Sequence, residues 1–439
     1  DDNGQLYEEI WSTEGKYGKE IRQIVEYLRK AMRYACNDHQ KEVIELLVEY
    51  YETGNLSLFD RYSMEWVKEV DASIDFINGF IEVYGDPLAF KASWESVVQI
   101  IDQEACKRTR KLADNAMWFE QHAPIDERFK KDEVVGITAR VVQAAMLGGD
   151  CHPATPIGIN LPNAEWIRER CGSKSVTLDN IIYAYDRASL NSGVLDEFVY
   201  SEEEKELIRK YGYIGGNVHT DLHECLGHGS GKMLPGVGQE ALKNYYSTIE
   251  EARADLFALY YVMDPKLIEL GVIPSLDVAK SEYCNYIRNG LMVQLTRIKP
   301  GNNLEESHMR NRQMIASWVY EKGKKANVIE RVSREGKTYF TIRDYDALRL
   351  LFGELLAEVQ RVKSEGDFEG AKNLIENYGV RIDPVLHQEV LERYRKLNVA
   401  PYAGFVNPNY RLVEKNGEII DVKIEYPTDF LAQMLDYGK

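Results

Sequence analysis

The stretch His223-Glu224-Cys225-Leu226-Gly227-His228, followed by Gly-Ser-Gly-Lys, restricts the fold more than any other part of the chain. Two histidines around a glutamate form a zinc motif when they stand at i and i+4 of a helix. Both imidazoles then face one metal, and the glutamate beside the first is placed as base. Here the second histidine stands at i+5. Successive helical residues turn by about 100°, so i+4 lies about 40° round the helix from i, and i+5 about 140° away. Either the motif holds no metal, or the helix absorbs one extra residue in a single π turn, a feature frequent at functional sites. Gly227 has the backbone freedom to permit such a turn. A rival pair, His219 and His223, does have i,i+4 spacing, but no glutamate follows His219, which makes it the weaker candidate.

A catalytic zinc takes three protein ligands and leaves a position for water, and two histidines with one carboxylate is a hydrolytic set. The third ligand has to come from another helix. Ser-Thr-Ile-Glu-Glu-Ala-Arg-Ala-Asp offers Glu250 and Glu251. Ser247 and Glu250 have capping-box spacing, which assigns Glu250 to the helix N-terminus and leaves Glu251 free to face the metal. Asp255 follows Glu251 at i+4, on the same face, where a carboxylate can orient a ligand histidine through its outer nitrogen. Alone, such an acidic run is a solvated helical face; beside the histidine motif the metal reading outweighs it. Glu224 is then the general base, taking a proton from water and passing it to the leaving amine.

The bulk of the chain excludes other classes. With 439 residues, a net charge of -17 and no Lys/Arg cluster, it carries no nucleic-acid surface. The six cysteines form no C-x-x-C pair, so neither a disulfide scaffold nor a cysteine zinc site is signalled, and a reducing, cytoplasmic setting is expected. No apolar run is long enough to span a membrane, and the first residues lack the pattern of a signal peptide, so no membrane partner is expected. The chain opens on Asp1 rather than methionine, which leaves room for a removed targeting segment.

The periodicity of apolar residues predicts helices through the first hundred residues, including Lys19–Ala35 and His39–Gly54, and again over Ser93–Gln121. Residues 133–166 are rich in Gly, Pro and β-branched types and predict short strands and loops. Helices return over 202–300. A hairpin is predicted at 328–342, three helical stretches over 344–397, and a second hairpin around Asn416-Gly417, the strongest turn signal in the chain.

The two chemical motifs together resemble a known family. His223 to Lys232 with Glu250-Glu251-Ala252-Arg253-Ala254-Asp255 is similar to the HExxGH and EExxA(D/E) pair of the M49 zinc metallopeptidases, the dipeptidyl peptidase III family. The resemblance implies one Zn2+ held by His223, His228 and Glu251, with Glu224 as base and Asp255 and Glu250 behind the ligands. Gly-Phe-Ile-Glu-Val-Tyr-Gly-Asp-Pro resembles the family's E-x-Y-x-D-P segment, implying that Glu82 takes the substrate's free amino terminus and that Tyr84 lies near the scissile carbonyl. Gly-Ile-Asn-Leu-Pro-Asn resembles its substrate-binding strand, with Asn160 and Asn163. Glu-Ser-His-Met-Arg-Asn-Arg resembles a segment carrying a transition-state-stabilising histidine and a nearby arginine, here His308 and Arg312. Singly, each has an ordinary explanation: turn asparagines beside Pro162, a solvated helical histidine, a core tyrosine. Five matches in family order, over about residues 75–330, argue against coincidence.

The resemblance implies an α+β, mainly helical, two-lobed fold with a cleft between the lobes. One would be a mixed lobe of residues 1–102, 144–189 and 401–439 with a small β-barrel-like core. The other would be a helical zinc lobe of 103–143 and 190–400. It implies a dipeptidyl peptidase acting on short oligopeptides. Two extended residues span about 7 Å, so a carboxylate such as Glu82 held that far beyond the scissile carbonyl selects cleavage after the second residue. An aminopeptidase or endopeptidase with the same zinc chemistry is the enzymatic alternative, and a peptide-binding fragment the non-enzymatic one. Cys225 stands where the family often has Leu, and Ala252 where it often has Cys; neither position bears on ligation. Members, of which this resembles a bacterial one, usually carry a further N-terminal segment; that segment is the expected partner, completing the lobe opposite the zinc.

Overall fold

The computed structural model describes residues 4–5, 9–82, 91–134, 140–152, 156–399 and 405–438, apart from the side chains of 165 and 169. Two compact units emerge: Asp1–Asp102 with Arg140–Ile181 and Gly404–Lys439, and Gln103–Ala139 with Ile182–Ala403. The chain is mainly helical with a mixed sheet. No described helix is long and apolar enough to cross a membrane.

The first unit begins with helices Gly18–Ala31, Asp38–Thr53 and Leu56–Lys68; the last two are capped by Asn37 and Asn55, whose side chains accept from Gln40 N and Ser57 N. Five strands follow: β1 Ile74–Glu82, β2 Ser93–Ile101, β3 Arg140–Gly149, β4 Gly158–Leu161 and β5 Lys174–Leu178. Their order is β1-β2-β3-β5-β4, antiparallel throughout except for the parallel β3–β5 pair. This sheet does not close into a barrel among the described residues.

β2 corrects the helix expected over Ser93–Gln121, whose helical part begins only at Gln103. Val97, Val98, Ile100 and Ile101 suit a pleated surface as well as a helix face, and hydrogen-bonding partners on both sides, β1 and β3, decide between the two. Below the sheet, Lys174 is buried with its Nζ 3.0 Å from Asp75 Oδ2, a pairing that keeps two interior charges from standing alone.

The second unit contains the β6–β7 hairpin, Ile329–Arg334 and Lys337–Ile342, and the remaining hairpin, β8–β9 of Asn409–Lys415 and Glu418–Glu425, belongs to the first. Asn416 and Gly417 both have positive φ, 55° and 80°, which is what a two-residue hairpin turn needs and why Asn-Gly marks it. The second unit is otherwise helical. Its centre is Tyr246–Val262, whose Ile249, Leu256, Phe257, Leu259 and Tyr261 are all buried, so that Arg253 and Asp255 on the same helix lie inside the protein.

On β2, Glu95 Oε2 lies 3.5 Å from the buried Cys151 Sγ. Burial, then the charge of Glu82, push the Glu95 carboxyl up from 4.5 to about 7. A carboxyl raised in the folded chain holds its proton more tightly there than when unfolded. Its contribution to stability is therefore full below pH 4.5 and lost as the pH rises to about 7. Glu95→Gln keeps the uncharged shape and removes that loss. In thermal unfolding the variant should gain on the wild type between about pH 5 and about pH 8; a constant difference across that range contradicts the raised carboxyl.

Candidate metal centre

Helix Glu202–Leu222 starts at Ser201, whose hydroxyl accepts from Glu204 N, with three glutamates in its first turn facing the positive end of the helix dipole. It runs regularly to Leu222 and then opens into one π turn, His223–Gly227, closed by the His228 N–H donating to the His223 carbonyl at 3.0 Å. The extra residue returns His228 to the side of His223. The two ring centroids lie 4.7 Å apart with planes at 87°.

Gly227 is required for a reason other than backbone freedom, since it is not among the positive-φ residues. A Cβ there would lie 2.9 Å from Ala254 Cα and 3.0 Å from Ala254 O. The π turn thus sits directly on helix Tyr246–Val262, close enough for that helix to supply the third donor. Glu251 Oε2 stands 3.3 Å from His223 Nε2 and 3.5 Å from His308 Nδ1. One donor atom each from His223, His228 and Glu251 lie within 4.8 Å of one another.

Glu251 Oε2 is buried without a hydrogen-bond partner although His223 Nε2 is 3.3 Å away. Four ligands about 2.0–2.1 Å from a tetrahedral metal stand about 3.3–3.4 Å apart, so the His223–Glu251 spacing fits a shared cation, and two nitrogens with one oxygen suit a first-row divalent ion.

The outer nitrogens support the same reading. Asp255 Oδ1 accepts from His223 Nδ1 at 2.8 Å, and Glu250 Oε1 from His228 Nδ1 at 2.9 Å, which fixes both tautomers and turns each Nε2 to the donor cluster. The capping-box expectation for Glu250 is overturned. The helix begins at Tyr246, so Ser247 is already inside it, and the carboxylate turns inward to His228, Arg253 and Lys363. Arg253, fully buried, also donates to the Ser230 carbonyl and hydroxyl, tying the Gly-Ser-Gly loop to the helix. Burial, then the Arg253 charge, lower Lys363 to about 8.

Burial alone would lower His223, but the hydrogen bond to Asp255 and the neighbouring Glu251 carboxylate outweigh it and raise the ring to about 10. The acids that draw a proton there are the ones that would draw a cation. Burial raises Asp255 less than its bonds to His219 and His223 lower it, so its carboxyl lies well below the usual range. His219, the rival ligand, faces Asp255 Oδ1 at 3.2 Å and Glu282 Oε1 at 3.0 Å. Each of its nitrogens faces a carboxylate oxygen directly, and His219, His223 and Asp255 also lie close enough together to hold an ion.

Glu224 is half-buried beside His223, and Cys225 is buried. His308 has a side chain 59% exposed and lies next to Glu251, with Arg312 one turn later on helix Ser307–Gly323, its Nη1 3.3 Å from Gln294 Oε1. In the first unit, Asn163 Nδ2 donates to Glu82 Oε1 at 3.2 Å, and Asn160 pairs with Ser175 on β5. Tyr84 lies outside the described residues. Sequence reasoning left Arg253, Lys363, Tyr286, Asn311 and Glu282 without a role. Arg253 had a signal in its i+3 spacing from Glu250, while the others come from distant helices and had none.

A family model described as Peptidase family M49 matches residues 2–240 and 238–426. Dipeptidyl peptidase 3 of Mus musculus is 27% identical over 452 residues, covering 92% of this chain and 60% of that protein. The Homo sapiens protein of that name is 26% identical with the same coverage, and Nudix hydrolase 3 of Arabidopsis thaliana is 26% identical, covering 94% of this chain and 50% of its own. The chain thus spans about 60% of the length of the dipeptidyl peptidase 3 proteins from mouse and human. The solved DPP III from Caldithrix abyssi is similar at a TM-score of 0.71 and 26% identity, covering 88% of this chain and 70% of that one. Dipeptidyl-peptidase III from Corallococcus sp. strain EGB shares the fold at a TM-score of 0.60 and 22% identity.

The approach of Gly227 to Ala254 is testable. Gly227→Ala has to part the two helices and should lower stability by about 1–3 kcal/mol. Added zinc raises the unfolding midpoint of a chain that binds it in the folded state, and this rise should shrink in the variant. An unchanged midpoint and an unchanged zinc response would show that the close approach is dispensable.

Proposed function

The chain belongs to peptidase family M49, and on that footing we propose that it is a zinc-dependent dipeptidyl peptidase, releasing dipeptides from the free amino end of short oligopeptides. The observation that carries the reading is the convergence of His223, His228 and Glu251 donors, with Glu251 Oε2 buried and unpartnered. His223, His228 and Glu251 hold the ion; Asp255 and Glu250 fix the two imidazoles. Bound zinc supplies a Lewis acid and brings the pKa of a bound water to about 7.

Glu224 takes the proton of the attacking water and returns it to the leaving amine, which needs a carboxylate beside the donor cluster and open to it. His308, exposed and adjacent to Glu251, donates to the oxygen on which charge develops, as does Tyr84. Glu82 receives the substrate's α-ammonium, with Asn163 already fixing one of its oxygens, and Asn160 and Arg312 bind the peptide backbone. We assign the substrate-binding role to the unit that carries the sheet. Six free thiols accord with a cytoplasmic setting.

A dipeptidyl-naphthylamide tests the proposal. Turnover should vanish with a chelator and return with zinc, and Glu224→Gln should retain the metal while losing about 10²–10⁴-fold in rate. Equal rates in wild type and variant rule Glu224 out as base. N-acetylated peptides should resist; if they are cut as fast as free ones, the enzyme is an endopeptidase and the ammonium anchor falls. A chain that binds zinc and peptide without turnover is a peptide-binding fragment.

A further inference from the structure

His219 lies one α-helical turn before His223 and is buried, yet it belongs to none of the roles above. Its Nε2 is 3.2 Å from Asp255 Oδ1 and its Nδ1 is 3.0 Å from Glu282 Oε1. A carboxylate oxygen thus stands within ion-pair distance of each of its nitrogens. Glu282 reaches it because helix Glu202–Leu222 packs tightly on helix Asp277–Leu291 at Gly215, where a Cβ would stand 3.2 Å from Val278 O and 3.4 Å from Glu282 Cβ.

Asp255 Oδ1 is therefore contested. It accepts from His223 Nδ1 at 2.8 Å and from His219 at 3.2 Å, while Oδ2 is taken by Tyr286 OH at 2.8 Å and Asn311 Nδ2 at 3.2 Å. The more of its charge Asp255 gives to His219, the less it gives to His223, and the basicity of a ligand imidazole follows the carboxylate behind it. Glu282 draws the His219 charge the other way.

We infer that His219 and Glu282 are a positioning pair that sets how strongly the centre holds its metal, His219 as a weight on Asp255 and Glu282 as the counterweight. The inference rests on His223 being a metal ligand, and it concerns affinity, not turnover.

Opposite signs distinguish this pair from a merely structural ion pair, whose loss from either end would loosen the site alike. In competition for zinc against a chromophoric chelator, Glu282→Gln should weaken binding by about tenfold, the range of outer-shell partners. His219→Gln should tighten it, an unchanged affinity counting against the pair, and the double variant should return towards wild type. In an Asp255→Asn background both effects should disappear, since they act through that carboxylate. Circular dichroism of each chain checks that it is folded; should Glu282→Gln fail to fold, the His219→Gln affinity decides alone. Weakening by His219→Gln, or a Glu282→Gln effect that persists without Asp255, overturns the inference. A wild-type chain that retains no zinc sinks the metal reading and this one with it. A wild type that holds zinc but cuts no peptide sinks the proposed activity and leaves this test intact.

Discussion

One buried carboxylate, Asp255, ties the second unit together. It rises from helix Tyr246–Val262 and accepts from His219 and His223 at the end of one helix, from Tyr286 on a second and from Asn311 on a third. A charge taken out of water is tolerable only when it is matched and hydrogen-bonded, and here both oxygens are fully used. Four helical segments are thereby registered against one another with the precision of hydrogen bonds, and dispersion between apolar faces fills the space around them. The orientation of the His223 ring is a consequence of that register and not a local property of its own helix.

The second imidazole is supported differently. Glu250 is backed by two full cations, Arg253 and Lys363, with Arg253 also gripping the loop after His228. Asp255 is backed by neutral donors and by His219, whose charge Glu282 shares. The two motif histidines, equivalent in the sequence, stand before carboxylates of unequal character. His219, His223 and Asp255 lie close enough to pass as a second ligand set, yet each nitrogen of His219 already faces a carboxylate oxygen.

Much of this was legible in the residues. The i+5 spacing allowed a shared metal only through a π turn, the EEARAD run named the helix that approaches it, and both expected hairpins formed, the second at its Asn-Gly pair. What remained hidden depends on neighbours that sequence order does not supply. Ser93–Ile101 is a strand because β1 and β3 offer it hydrogen bonds on both sides. Glu250 turned inward because Arg253 and Lys363 wait there, although its spacing from Ser247 suited a cap. Gly227 was rightly marked but for the wrong reason: its lack of a side chain matters through contact with Ala254, and its backbone is ordinary. Tyr286, Asn311 and Glu282 are unremarkable in sequence because their meaning is purely tertiary.

The π turn also reconciles two spacings. Remove one residue between His223 and His228, and the histidines stand at i,i+4, the spacing of the common zinc helix. The widened turn takes up the additional residue and returns the second imidazole to the side of the first, while the helix before it stays regular. Gly227, with no side chain to hold the two apart, lets the swollen turn lie flat on its neighbour.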